Sequence, residues 1–388
     1  MSNKIIYLNN AAGSWPKPDQ VIDRMVWAAT EFPSTPGRGG SGVRSEKVLF
    51  DTRESLASLI GAADSSRIIF TPNTTAALNL AIAGLVRSRD HVVTTSMDHN
   101  SVARPLARLE DREGVEVTRV QAGTDGTVTV SAILEAVRPE TALVVMTHAS
   151  NVTGTIQPVS EVGPALRAMG EGRPLLLADA AQTVGVLPVD VTRDGIDLLA
   201  APGHKALYGS SGTGFLYVGP DVELEPIVEG GTGGHSSLRR QPEMLPARLE
   251  SGTPNIPGIA ALGAAVEFIT GKGLDTIRQH EARLMRVLID GLSPIPGAHL
   301  FGPCDPVRQL AVLSFRLDDV DPAEVATFLA EVKGIHVRVG LHCSPFSHKT
   351  MGTWPEGTVR VSPGVFNTEE DVQALVEGVT QLQGMRGA

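Results

Sequence analysis

From Arg67 to about Val218 the chain alternates short runs of Val, Ile and Leu with stretches of helical apolar spacing, a rhythm that few folds accept. RIIF, HVVTT, VEVTRV, TALVVMTH, PLLLAD, IDLLAA and TGFLYV are strand-sized, and TTAALNLAIAGL, SAILEAVR and VGPALRAM lie among them with helical periodicity. Strands that alternate with helices build βαβ units around a mainly parallel sheet covered on both faces. Ligands of such sheets bind where the chain leaves the carboxyl ends of the strands. The residues just after each run are therefore the ones that bear chemistry.

From Gly219 to Pro257 the character changes to EGGTGGHSSLRRQPEMLPARLESGTPNIPG, dense in Gly, Pro, Ser and Arg. Excursions of this length are functional or reach a neighbour. Helical patterns at AALGAAVEFIT and LDTIRQHEARLMRVLIDGL follow. QLAVLSFRL, PAEVATFLAEV, IHVRV, TVRVS and TEEDVQALVEGV then suggest a smaller α/β unit. At 388 residues two domains are the default expectation. The reading divides the chain into an N-terminal segment, 1–20, that packs with the smaller unit, a large domain, 21–256, and a small domain, 257–388.

Several function classes are excluded by composition. A formal net charge of −10 argues against nucleic acid and anionic membranes, which reward clustered Lys and Arg. The apolar patch Ile5–Leu8 is too short for an export signal, and no stretch approaches the roughly 20 apolar residues of a membrane span. The two cysteines, Cys304 and Cys343, cannot make a disulfide framework, so free thiols in a reducing cytoplasm are expected.

Lys205, in AAPGHKALYGSSGTG, follows the run IDLLAA and projects from a loop at a sheet edge; alone it would read as a surface lysine. Asp179 ends the run LLLAD, where a carboxylate is costly to bury without a positive partner. A protonated pyridinium nitrogen is such a partner, and the pair makes the ring an electron sink. Gln182 lies three residues on, within reach of the same ring's oxygen. Thr74 and Thr75 open a helix directly after a strand, where free N–H groups, the helix dipole and two hydroxyls suit a phosphate. Each feature has an ordinary alternative, a cap or a turn. Their order along one sheet is what makes coincidence a poor explanation.

YLNNAAGSWPKP, FTPNTTAALNLA, SMDHNSV, THASNVTGT, LLADAAQTVG, GHKALYGSSGTG, RLESGTPN, RVGLHCSP and TVRVSPGVFNTEEDV together resemble the motif set of the class V aminotransferase-fold cysteine desulfurases. The resemblance runs from about Tyr7 to Val372 and is nearest the group II branch that includes selenocysteine lyases. It implies an α/β, fold-type-I, PLP-dependent transferase fold with a mainly parallel seven-stranded sheet, and a homodimer. Pyridoxal 5′-phosphate (PLP) is the implied cofactor, with no metal, and L-cysteine or L-selenocysteine the implied substrate. A sulfur-acceptor protein is an implied partner.

The resemblance also distributes roles. Lys205 would carry the cofactor as a Schiff base. His99 would stack on its ring and relay protons, Asp179 would pair with the ring nitrogen, and Gln182 would contact the ring oxygen. Asn151 would bond that oxygen or the substrate carboxylate. Thr74, Thr75 and His204 would hold the phosphate, and Gly231 and Thr253 would reach the phosphate of the other subunit. Arg360 would clamp the substrate carboxylate in the bidentate manner a guanidinium favours, with Arg38 near the entrance.

Cys343 decides among the chemistries of such a fold. It stands where the family carries its sulfur nucleophile, beside His342, and a nearby imidazolium or other cation would favour the thiolate. Cys304, in FGPCDP, reads as an uninvolved loop thiol. The expected reaction is conversion of L-cysteine to L-alanine with a persulfide on Cys343. A selenocysteine lyase, a cysteine or cystine C–S lyase and a PLP-binding scaffold without turnover are the alternatives. Three positions depart from the family pattern: Pro202 replaces a serine or threonine, Asn9 replaces an aspartate, and Ser344-Pro345-Phe346 follows the cysteine.

Overall fold

The computed structural model describes residues 5–31, 33, 42–234 and 236–386. Its strands are β1 (Ile6–Tyr7), β2 (Ile68–Thr71), β3 (His91–Thr95), β4 (Glu116–Val120), β5 (Thr141–Thr147), β6 (Leu175–Asp179), β7 (Leu198–Pro202), β8 (Gly214–Val218), β9 (Ala298–Phe301), β10 (Leu313–Leu317), β11 (Ile335–His336), β12 (Arg338–Gly340) and β13 (Thr358–Val361). The helices are α1 (Asp19–Thr30), α2 (Gly42–Leu59), α3 (Thr74–Leu85), α4 (Asn100–Glu113), α5 (Val130–Ala136), α6 (Val159–Arg167), α7 (Ile256–Lys272), α8 (Leu274–Leu292), α9 (Pro322–Lys333), α10 (Pro345–Thr350) and α11 (Glu369–Arg386).

Among the described residues, a seven-stranded sheet runs in the order β2-β8-β7-β6-β5-β3-β4. The pairs from β7 to β4 are parallel, and β8 alone runs against both its neighbours. The reversal follows from chain length. Only the short turn-rich stretch 203–213 joins β7 to β8, with no crossover helix, which a parallel pair would require. Alternate residues of the central strands face opposite layers. Leu176, Ala178, Leu199 and Ala201 join one buried cluster with α2, α6 and α7, while Leu177, Leu198 and Ala200 join another with α3 and α4. Burial on both faces explains the near-continuous apolar runs in the sequence.

The smaller unit is an antiparallel sheet, β12-β13-β10-β9, whose core includes Leu284, Leu288, Leu329 and Leu375 from α8, α9 and α11. Leu8 of the N-terminal segment joins that core, and β1 pairs in parallel with β11. Helix α7 packs with α1 and α2, and its Leu262 and Val266 enter the large unit's core. The expected start of the smaller unit, at 257, thus falls in the first turn of a helix that packs with the large unit.

The two units meet closely at Gly154, whose φ is +73°. A Cβ there would stand 2.7 Å from the Val312 carbonyl oxygen, so only glycine fits.

Candidate active site

Five loops leave the carboxyl ends of β2, β3, β5, β6 and β7 on one side of the sheet, as the fold dictates. They meet loops of the smaller unit around a cavity of about 220 Å³. Thr74, Thr75, His99, Asn151, Asp179, Gln182, His204, Lys205, Cys343 and Arg360 all line it. Gly231 and Thr253 do not. They lie side by side on the exposed excursion, where the Gly252 N–H donates to the Gly231 carbonyl at 2.8 Å. Arg38 lies outside the described residues.

One end of the cavity is built for an anion. Asn73 caps α3, its side chain accepting from the Ala76 N–H at 2.9 Å, which leaves the first N–H groups of the helix facing the cavity. Thr74 Oγ1 and His204 Nδ1 are buried with no hydrogen-bond partner among the described residues. Such orphaned atoms are costly unless a ligand satisfies them. Thr75 Oγ1 is 2.7 Å from Ser101 Oγ, which lies 2.9 Å from His99 Nδ1. Pro202 lines this end and offers no hydroxyl.

His99 caps α4, its Nδ1 accepting from the Ser101 N–H at 3.0 Å. Burial, then the nearby Lys205 and Arg104 charges, lower its pKa to about 4, so the ring is a neutral plane facing the cavity.

Asp179, the last residue of β6, accepts from the Ala181 N–H at 3.0 Å. Burial raises its pKa to about 6, against the pull of Lys205. Lys205 shows the reciprocal balance: burial lowers it to about 8, Asp179 opposes that, and Arg360 and Arg338 add to it. The Lys205 loop is held from behind by the N-terminal segment. Ser14 Oγ donates to the Lys205 carbonyl at 2.8 Å, and Lys17 Nζ donates to Ser14 Oγ at 2.8 Å and to the His204 carbonyl at 3.2 Å.

Arg360 closes the opposite end. It donates to the Asn151 carbonyl at 2.8 Å and to Asn9 Oδ1 at 3.0 Å, while its buried Nε has no partner. Arg338 stands directly opposite it on β12 and also lines the cavity. Two like charges in register repel, and burial followed by Arg338 lowers the Arg360 pKa to about 9. An anion between them would relieve both.

Cys343 and His342 both adopt the left-handed conformation, with φ of +59° and +48°. That turn pushes the Cys343 side chain out into the open cavity, where it is exposed. Its strain is offset by two anchors: the Asn100 N–H donates to the Cys343 carbonyl at 2.8 Å, and Asn151 Nδ2 to the His342 carbonyl at 2.7 Å. Asn151 Oδ1 accepts from Ser344 Oγ at 2.8 Å. Asn151 is therefore a strut of the cysteine turn. His342 is no source of positive charge. It is buried, its Nε2 lies 3.2 Å from Thr358 Oγ1, and burial followed by Arg360 lowers its pKa to about 2. The cations that face Cys343 are Lys205 and Arg360.

Residue reasoning passed over Ser101, Arg338 and Asn73. All three sit in the motifs given above, SMDHNSV, RVGLHCSP and FTPNTTAALNLA, but only strand pairing brings Arg338 beside Arg360.

The sequence model of the Aminotransferase class-V family matches residues 6–375. A probable cysteine desulfurase of Methanothermobacter thermautotrophicus is 38% identical, covering 98% of this chain and 95% of its own. One from Halalkalibacterium halodurans is 33% identical over 98% of this chain and 93% of its own. Among solved structures, the apo cysteine desulfurase of Thermococcus onnurineus superposes with a TM-score of 0.92 at 29% identity, covering 98% of this chain and 95% of that one.

Proposed function

We propose, from the premise that this chain belongs to the class-V aminotransferase family and is a PLP-dependent cysteine desulfurase, that Lys205 and Cys343 divide its chemistry. The observation that carries this reading is that both open on one cavity, with Asp179 beneath it and Arg360 at its end. The orphaned Thr74 Oγ1 and His204 Nδ1, together with the α3 terminus, fit a phosphate. Asp179 fits a ring nitrogen, and the neutral face of His99 fits the ring itself. Bound PLP supplies an electron sink for the bonds at the substrate Cα.

Arg360, through its free Nε, binds and orients the substrate carboxylate. Arg338 beside it makes the same end more anion-seeking. The Lys205 amine, lowered to about 8, has a neutral fraction at physiological pH and moves the Cα proton. The carboxylate of Asp179 holds its negative charge beside the ring nitrogen at pH 7, above its value of about 6. Cys343 attacks the substrate sulfur. The new S–S bond forms as the substrate C–S bond breaks; the electron pair of that bond stays with Cβ, which takes up a proton, and the carbon skeleton leaves as alanine. Covalent capture splits one hard cleavage into two easier steps. A thiol-bearing acceptor protein takes the persulfide sulfur onward.

The chain works as a homodimer, with Gly231 and Thr253 reaching the other subunit's phosphate. Their joint placement on an exposed loop away from this chain's own cavity supports that assignment. No helix among the described residues is long and apolar enough to cross a membrane. The cytoplasm suits a reaction that needs a free thiol.

Incubation with L-cysteine, with and without reductant, tests the reading. Alanine with sulfide released by reductant is expected; pyruvate with ammonia would indicate a C–S lyase. Cys343→Ala should keep PLP absorption and still bind cysteine, while alanine release falls by roughly two orders of magnitude or more. Mass spectrometry should find one added sulfur on the Cys343 peptide and none on that of Cys304. Sulfur on Cys304, or wild-type turnover in Cys343→Ala, would overturn the assignment.

A further inference from the structure

Behind the wall that Lys205 forms lies a second, smaller cavity of about 30 Å³. Ala11, Gln182 and Lys205 line both cavities, so these residues separate the substrate side from the rear chamber. The rear chamber is also lined by Ser14, Tyr208, Ser362 and one carboxyl group, Glu281 of α8. Glu281 is only 6% exposed and makes no hydrogen bond or ion pair with any described residue. Arg278, one turn earlier on α8, attracts the carboxylate but forms no ion pair with it. Arg278 Nη2 donates to the carbonyls of Pro306 at 2.5 Å and Gln309 at 2.8 Å, so its attraction for Glu281 is exerted without an ion pair and is outweighed by burial. A buried carboxyl with no partner is held neutral, with a proton to give. A void of this size has room for a water, which needs only about 10–15 Å³ and two to four polar partners. The hydroxyls of Ser14 and Ser362 and the Glu281 carboxyl are candidates to supply them.

We infer that Glu281 is a positioning residue for proton movement at Lys205: it stores a proton behind the lysine and exchanges it through water held in this rear cavity. The inference rests on the desulfurase reading for its purpose, though not for its test. Burial, opposed by Arg278, raises the Glu281 pKa to about 8, in the same range as the value of about 8 for Lys205, the match that proton exchange between an acid and a base favours. The other titratable groups that face Glu281 are Tyr208 and Arg278. Burial, then Glu281 itself, holds the Tyr208 phenol well above its usual value, and Arg278 stays charged, so neither competes as the donor.

Two measurements decide. The first uses the apoenzyme and no activity. A carboxyl whose folded pKa is raised favours the folded state below its unfolded value of 4.5, and that benefit is lost as pH rises through about 8. The urea midpoint of wild type should therefore fall relative to Glu281→Gln across that window, and the protonated carboxyl infrared band assigned by the same variant should vanish near pH 8. The second uses the holoenzyme. Glu281→Gln should keep PLP and lose at least about tenfold in alanine release, less than the full range for a general acid–base group because it acts through Lys205. Its pH profile should lose one ionisation near 8, and Glu281→Asp should restore part of it. Deprotonation in the ordinary carboxylate range, or a Glu281→Gln profile that overlays wild type, would overturn the proposal. If Glu281→Gln fails to fold, the pH at which the band vanishes in wild type alone decides. A wild type that releases no alanine but shows the high-pH carboxyl would instead sink the desulfurase reading.

Discussion

Lys205 owes its lowered pKa to surroundings more than to type. Burial strips water from its ammonium, Arg360 and Arg338 repel it, and Asp179 only partly restores the charge, leaving a pKa of about 8. Only the neutral amine attacks an aldehyde. The rate at which apoenzyme takes up PLP should therefore climb with pH and level off near 8, well below the 10.5 of an ordinary lysine. Asp179→Asn removes the attraction that favours the ammonium, so the levelling point should move lower still. Stopped-flow visible absorbance reads both, and a midpoint that rose in the variant would contradict the account. The same dependence on surroundings limits what single residues disclose in sequence. Asp179 was legible because a strand end in an apolar run fixes its burial. His342 was not: next to a cysteine it suggested an imidazolium, yet its burial against Thr358 keeps it neutral. Glu281, in the pattern RQHEARL, looks like any solvated helix charge until α8 turns it inward.

Elements were more legible than residues, for a physical reason. RIIF, HVVTT, TALVVMTH, PLLLAD, IDLLAA and TGFLYV each became a strand, because a sheet covered on both faces demands uninterrupted apolar runs. What periodicity could not convey is how one element braces another. The N-terminal segment pairs with the small unit through β1 and Asn10, whose N–H donates to the Ser362 carbonyl at 3.0 Å. It then clamps the Lys205 loop through Ser14 and Lys17. The strap thus ties the small unit to the Lys205 loop. Ser14→Ala removes one of the two donors to the Lys205 carbonyl, which keeps the Tyr208 N–H at 2.8 Å, a loss of about 0.5–1.5 kcal/mol. Lys17→Ala removes a half-exposed contact worth about 1 kcal/mol. PLP should leave the holoenzyme roughly fivefold faster in either variant. Dialysis followed by absorbance measures this, with circular dichroism to check that the helices persist. Unchanged retention in Ser14→Ala would show that the strap does not brace the lysine.

At the scale of the molecule, the excursion between β8 and α7 is the part that a single chain does not explain. It leaves Ile227, Val228, Leu238 and Met244 bare, at 46%, 61%, 54% and 60% exposure. Large apolar side chains grouped on one loop mark an interface. Arg53 and Glu250 pin the excursion's return to the sheet edge, their side chains 2.6 Å apart, with Glu250 also accepting from the Phe70 N–H. A loop both anchored and apolar is built to present something, and Thr253 follows Glu250 by three residues. Light scattering should give about twice 40.9 kDa, and Val228→Asp should shift the mass toward one chain. Thr253→Ala should stay dimeric yet hold PLP less tightly, all the more because Pro202 offers the phosphate no hydroxyl. The decisive experiment mixes two impaired parents, Lys205→Ala, which lacks the lysine, and Thr253→Ala, which holds PLP weakly. If Thr253 serves the other subunit, the site on the Thr253→Ala chain has its own Lys205 and receives Thr253 from the Lys205→Ala chain. That one site per mixed dimer should regain wild-type PLP affinity and alanine release. If Thr253 serves its own chain, no site in the mixture is whole, and nothing is regained.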